Sequence, residues 1–218
     1  DQLRSRHQDD LLGRQGAAQL HRLRSAVEGH QLVVQDPACG CSYASNGGDA
    51  YSRGFELEGS FAPVDGLRIG YNAAYTKTAL TSLAPGAPPY LLDKQLPGVP
   101  KFAAGATIDY NWPAFGEWRA NVGAGIRYVG AEYPSPPSIQ GLPTSLSNTK
   151  DPAYTTADLR AGLSNDKYSV NLFVRNVTDK LVYTSQTAIN NPLTGAVIGI
   201  QGVPLEPRVI GVSVDARF

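Results

Sequence analysis

The chain has 218 residues with 19 Lys+Arg against 19 Asp+Glu, so its formal charge is zero and it lacks the cationic excess that grips a nucleic-acid backbone. Gly (23) and Pro (16) fill about 18% of positions, against a usual ~12%, while apolar residues hold at 42%; many turns around short apolar segments are expected, not disorder. Apolar runs stop after a few residues, as at Leu32-Val33-Val34, far short of the ~20 that a membrane-crossing helix requires, which excludes a helical membrane protein.

In chain order, residues 1–30 stand apart. They carry His7, His21 and His30 with dense Arg, Asp and Gln, and they place Leu20, Leu23 and Val27 at helical spacing, so an amphipathic helix or a disordered lead-in is expected there. Met is absent, even from position 1, and no basic-then-apolar leader opens the sequence, which reads as a mature chain or a fragment. Next come Cys39 and Cys41, separated by Gly40 alone. That spacing rarely closes an unstrained disulfide, and a metal site needs two further ligands, so two small residues in a tight turn are expected.

From 31 to 218 the period is two, and the remainder reads as all-β. Phe55, Leu57, Gly59 and Phe61 alternate with Glu56, Glu58 and Ser60. Leu67, Ile69, Tyr71, Ala73 and Tyr75 then alternate with Arg68, Gly70, Asn72, Ala74 and Thr76. The dyad returns from Phe102 to Tyr110, from Trp118 to Tyr128, from Thr156 to Leu163, from Tyr168 to Val174 and from Ile210 to Phe218.

The connections alternate in length. Short turns fall at Ala62–Gly66, Pro113–Gly116 and Ser164–Lys167, and long Pro- and Gly-rich segments span 81–99, 129–153 and 184–206. Short turns at one end and long loops at the other are expected of an antiparallel transmembrane β-barrel segment of about eight strands. Phe61, Tyr110, Trp112, Trp118, Tyr168 and Phe218 stand beside the short-turn end or the C-terminus, as an interfacial girdle does, with Tyr75 and Tyr128 near the opposite ends of their strands.

Several pieces, in this order and spacing, resemble the C-terminal barrel portion of TonB-dependent outer-membrane receptors. They are Ser52-Arg53-Gly54-Phe55-Glu56-Leu57-Glu58-Gly59, Pro63-Val64-Asp65-Gly66-Leu67 and Asn72-Ala73-Ala74-Tyr75-Thr76; then Leu96-Pro97-Gly98-Val99-Pro100-Lys101 and Asp158-Leu159-Arg160; then Leu172-Phe173-Val174-Arg175-Asn176-Val177-Thr178-Asp179-Lys180 and the terminal Phe218 after Pro207-Arg208. The resemblance covers about residue 31 to the end. It implies a share of a barrel of about 22 strands with a plugged lumen, short periplasmic turns and long extracellular loops, in the outer membrane of a Gram-negative bacterium. It further implies uptake of a scarce ligand (a ferric siderophore, cobalamin or a carbohydrate) and an energy-coupling protein that acts through a plug this chain lacks. Alone, the chain is expected not to transport. Against the resemblance, 1–30 is an atypical segment without aromatics, helical, disordered or frameshifted, preceding the 31–218 barrel portion.

The partners so implied are outer-membrane lipid, the barrel-assembly machinery and the small-molecule ligand, with no nucleic acid and no cofactor. Ile210, Val212, Val214 and Phe218 form the expected assembly signal on the final strand. Tyr90 and Tyr133, in long loops, are candidate ligand contacts, because aromatic loop residues offer contact area at little entropic cost. Glu56 and Glu58 share one face at roughly 7 Å, a spacing that could suit inverting glycoside hydrolysis, but a polar lumen in which they oppose Arg68 and other basic residues is the expected reading. Asn176-Val177-Thr178 fits a glycosylation acceptor or a strand-end turn. Phosphate loops, nucleophile elbows and metal-ligand clusters are missing from the sequence, and no His lies beyond residue 30, so no enzyme is expected. Two alternatives stay open on the residues alone: a complete small barrel of about eight strands with a structural or adhesive role, and a soluble ligand-binding β-barrel.

Overall fold

The computed structural model describes residues 6–7, 16–35, 42–85, 92–93, 95–134, 150–191, 193–194 and 196–217. Within them the chain forms β1 (Arg6–His7), β2 (Gly16–Gln35), β3 (Ser42–Phe61), β4 (Leu67–Leu80), β5 (Phe102–Phe115), β6 (Trp118–Val129), β7 (Tyr154–Ser164), β8 (Tyr168–Arg175), β9 (Tyr183–Asn190), β10 (Val197–Pro204) and β11 (Val209–Ala216). Nine of these make one antiparallel sheet in the order β1-β2-β3-β4-β5-β6-β7-β8-β11, and β9 and β10 pair as a separate ribbon. Among the described residues β11 does not pair back to β1, so the sheet is an open arc; the small closed barrel is not what the chain forms.

The register carries the dyad pattern across the arc. Phe55, Tyr75, Phe102 and Tyr128 follow one another across β3 to β6, and lower down Ile108, Ala124, Leu159, Val174 and Ile210 do the same from β5 to β11. One face is therefore largely apolar, with Arg22, Arg24, Arg53 and Lys77 at its long-loop end on β2 to β4, and the other carries Arg68, Asn72, Asp109, Asn121, Arg160 and Asn171. Aromatic rings border the apolar face at both ends. Phe55 stacks on Tyr75 at 5.6 Å and Phe102 meets Tyr128 at 6.0 Å at the long-loop end, while Tyr110 stacks on Trp112 at 5.2 Å and Phe115 meets Trp118 at 6.2 Å at the other.

The short turns have local causes. Gly66 adopts φ +81, and a side chain there would run into the carbonyl of Asn111, whose N–H donates to the Gly66 carbonyl at 2.8 Å. At Ser164–Lys167, Asn165 Oδ1 accepts the N–H groups of Lys167 (2.9 Å) and Tyr168 (2.7 Å), fixing an Asx turn.

Four expectations need correction. Among the described residues the strands number eleven, β1 being only two residues long, somewhat more than the eight or so expected. The stretch from Gly16 to Gln35 is a strand hydrogen-bonded along β3, not a helix or lead-in, and it runs through the boundary expected at residue 30. Its Leu20 lies on the apolar face and Leu23 and Val27 on the other, so the helical spacing came from apolar residues divided between two faces of a strand. The segment 184–206 is mostly the β9–β10 ribbon, and the turn expected at Pro113–Gly116 narrows to Gly116 and Glu117 because β5 continues through Pro113 with a bulge. Cys39 and Cys41 lie outside the described residues.

Candidate functional site

Two regions hold the polar chemistry: the polar face of the arc and the long-loop end above it. On the polar face Asp109, Gly123 and Arg160 are register neighbours on β5, β6 and β7. Arg160 bonds to Asp109 across Gly123, where a Cβ would collide with both side chains. Gly162 is likewise flanked by Asn171 and Asn121, and Gly105 by Asn72. The small residues on this face make room for polar side chains from adjacent strands.

Glu56 and Glu58 do not oppose Arg68. Glu56 is paired with His21 and Ala74, Glu58 with Gln19 and Asn72, and Arg68 with Asp109. His21 therefore does sit in the β region, with Nε2 4.0 Å from Glu58 Oε1 and 3.2 Å from Gln19 Oε1.

At the long-loop end, the segment after β4 folds back over the polar face. Leu83 and Leu96 pack on buried Ala50 and Leu80, and the Leu96 N–H donates to Thr78 Oγ1 at 3.1 Å. The Gly98 N–H donates to the Tyr133 carbonyl at 2.8 Å, tying that loop to the next one. There Glu132 and Asp151 exchange both backbone hydrogen bonds, and buried Asp151 accepts the N–H groups of Ser185 (2.6 Å) and Gln186 (3.1 Å) from the ribbon. Burial, and then the charge of Asp151, push the Glu132 carboxyl above its ordinary range. Asn176, with φ +48, closes the base of the last loop: its Nδ2 donates to the carbonyls of Lys180 and Glu206, its Oδ1 accepts the Lys180 N–H, and its own N–H goes to Asp158 Oδ1. It is 4% exposed, which fits the strand-end reading of Asn176-Val177-Thr178.

Of the residues expected to matter, Tyr133 lies in this loop cluster with the Lys150 ammonium 5.7 Å from its ring centre. Ile210, Val212 and Val214 lie on the apolar face of β11, which has no partner on its far side among the described residues. Tyr90 and Phe218 lie outside the described residues. Sequence reasoning missed Asp151 and the Asp109–Arg160 pair, whose partners are 34 and 51 positions apart; only the register brings them together. Among the described residues no cluster of His, Cys, Asp and Glu suits a metal ion.

A strand wall with one apolar and one polar face, tight turns at one end and interlocked loops at the other is a section of a large transmembrane β-barrel. The family model described as TonB dependent receptor-like, β-barrel matches residues 26–177, and the chain belongs to that family. A TonB-dependent receptor of Haemophilus influenzae is 32% identical over 146 residues, 66% of this chain and 40% of its own length. Among solved structures, the ferric yersiniabactin uptake receptor FyuA of Yersinia pestis superposes with a TM-score of 0.71 at 16% identity, over 99% of this chain and 29% of the receptor. The siderophore receptor PiuA of Acinetobacter baumannii gives 0.62 at 22% identity, over 94% and 26%. The chain thus spans well under half of each. The family is one of outer-membrane receptors, not of enzymes.

Proposed function

We propose that the chain is the C-terminal part of the barrel wall, with its loop mouth, of an outer-membrane receptor for active uptake of a scarce ligand, and that a ferric siderophore is the ligand class best supported. The observation that carries the reading is the interlocked loop end over a polar-faced arc, the arrangement a receptor mouth needs. The siderophore uptake receptors among its structural relatives supply the ligand class.

The dimensions suit a bilayer. Trp118 and Tyr128 lie ten residues apart on β6, about 33 Å along the strand and about 25 Å across a membrane at a tilt of ~40°, the height of an outer-membrane apolar band. The apolar face then meets lipid, the short turns face the periplasm and the long loops the exterior. Wall and mouth alone do not import; transport requires a plug and its energy-coupling partner. Tyr133 contributes to ligand contact at the mouth, and Tyr90 is assigned the same role. The final strand, with Ile210, Val212, Val214 and Phe218, is read by the barrel-assembly machinery through strand addition.

The test compares cells that carry the gene with a deletion strain for uptake of labelled ferric siderophores, cobalamin and oligosaccharides. Loss of one ferric siderophore supports the reading; unchanged uptake of every compound refutes it.

A further inference from the structure

We propose that Asn46 is a self-modification site: its side chain closes onto the Gly47 nitrogen and reopens as isoaspartate, and the change unhooks the 81–99 segment from β3. The proposal does not rest on the uptake reading above. Asn46-Gly47 is the only Asn-Gly pair in the sequence, and it lies in β3 with Asn46 exposed. The pairing with β2 slips there. Gln31 lies opposite Asn46 and His30 opposite Gly48, so Gly47 is the extra residue of a bulge and its N–H has no place in the ladder. Without a Cβ, Gly47 also leaves its nitrogen open to the neighbouring side chain.

The Asn46 side chain is already turned forward. Its Oδ1 accepts the Gly48 N–H at 2.9 Å, which curls the amide carbon over the Gly47 peptide. Gly48 holds φ +116 and lies against the Ser82 carbonyl, where a Cβ would collide, so the donor is fixed in direction before any reaction. When the deprotonated Gly47 nitrogen attacks Asn46 Cγ, negative charge develops on Oδ1, and the Gly48 N–H is aimed at it, the arrangement that stabilises a tetrahedral intermediate. The Cγ–Nδ2 bond then breaks. Ammonia leaves with the proton that Gly47 gave up, on a side that faces Gly29, where an added Cβ would lie 3.6 Å from Nδ2 and none stands. Water opens the resulting cyclic imide: cleavage at Cγ gives aspartate, and cleavage at the main-chain carbonyl gives isoaspartate, with the chain rerouted through the former side chain.

Position gives the reaction its consequence. The Gly47 carbonyl accepts the Ala84 N–H at 3.3 Å, the Asp49 carbonyl accepts the Thr81 N–H at 2.7 Å, and the Ser82 hydroxyl donates to Asp49 Oδ2 at 2.8 Å. These bonds hold the start of the 81–99 segment on β3. Isoaspartate inserts one more main-chain carbon ahead of Gly47 and adds a carboxylate near Asp49, so the carbonyls shift out of line with their donors and the like charges repel.

The test ages the protein, extracted from its membrane in mild detergent, in water enriched in heavy oxygen. Peptide mass spectrometry, with isoaspartyl methyltransferase and a labelled methyl donor, locates and counts the product. The wild type is expected to take up heavy oxygen at Asn46, mainly as isoaspartate, at least as fast as the same chain unfolded in denaturant. Gly47→Ala should slow conversion on the order of tenfold, about 1.4 kcal/mol of barrier, and Asn46→Gln should stop it over the same interval. In the converted protein the Thr81 and Ala84 amides should exchange on the order of tenfold faster than before ageing, the loss of about one hydrogen bond. Slower conversion in the folded chain than in the unfolded one, an equal rate in Gly47→Ala, or unchanged exchange at Thr81 and Ala84 after conversion would each overturn the proposal. The two wild-type measurements decide it if Gly47→Ala does not fold.

Discussion

Arg160 reaches Asp109 two strands away by crossing the backbone of Gly123, which contributes no side chain to obstruct it. Both partners are partly exposed, so the pair itself stabilises by no more than about 1 kcal/mol. Asp109→Asn and Arg160→Gln should each cost that or less, and the double variant little more than either. Gly123→Val drives a branched side chain into both partners and should cost more, about 1 to 3 kcal/mol. Denaturant unfolding of the membrane-extracted protein measures the series; a Gly123→Val variant as stable as Asp109→Asn would refute the crossing.

Glu132 gives the loop end a pH dependence. Its carboxyl is raised above the ordinary 4.5, with Oε2 buried and unpartnered, so the neutral form suits the folded loop. Its contribution is then complete below pH 4.5 and is lost as pH rises through the raised value. Glu132→Gln should hold the loop contact at neutral pH and flatten the dependence. Hydrogen exchange at the Ser185 and Gln186 amides reads it: wild type more protected in acid than at neutrality, the variant equally protected at both.

Asp151 is the anchor through which the ribbon is tied down. Asp151→Ala strands two backbone donors that now reach a carboxylate, a local loss of about 2 to 4 kcal/mol. Faster proteolytic cleavage within 184–206, with the rest of the sheet intact, is the expected result. Unchanged cleavage would show that the ribbon holds without it.

Orientation is checked by single cysteines and an impermeant thiol reagent on intact cells. Thr194, between β9 and β10, should label, and Asp65 and Asn165, in the short turns, should not. The reverse pattern would invert the topology.

With Ile210 75% exposed on β11, an edge strand without a second partner among the described residues, the chain on its own should not refold into one monodisperse species. A single heat-modifiable monomer in detergent would contradict this. Within a complete receptor, Phe218→Ser should impair membrane insertion and Arg217→Ala should not; equal insertion removes the assembly role assigned to the final strand.

Strands whose faces differ cleanly in polarity were legible in the sequence, and every residue assigned to the apolar face of β4 to β8 lies there in register. β2 was not, because Arg22 and Arg24 occupy its apolar side while Leu23 and Val27 occupy the other, which destroys the alternation. β9 was hidden for another reason: Ser185, at φ +53, interrupts a run of Thr, Ser and Gln whose two faces hardly differ. The long-loop contacts of Asp151 and the Asp109–Arg160 crossing depend on register and chain return, which no local pattern encodes.

Leu83 and Leu96, seated on Ala50 and Leu80, bring some of the chain's few water-shielded apolar contacts to the mouth instead of the middle of the wall. A surface fixed in this way has already given up its conformational freedom during folding. A molecule settling over it immobilises little further, so its affinity depends less on the breadth of contact than on how well its shape matches a relief that is already set.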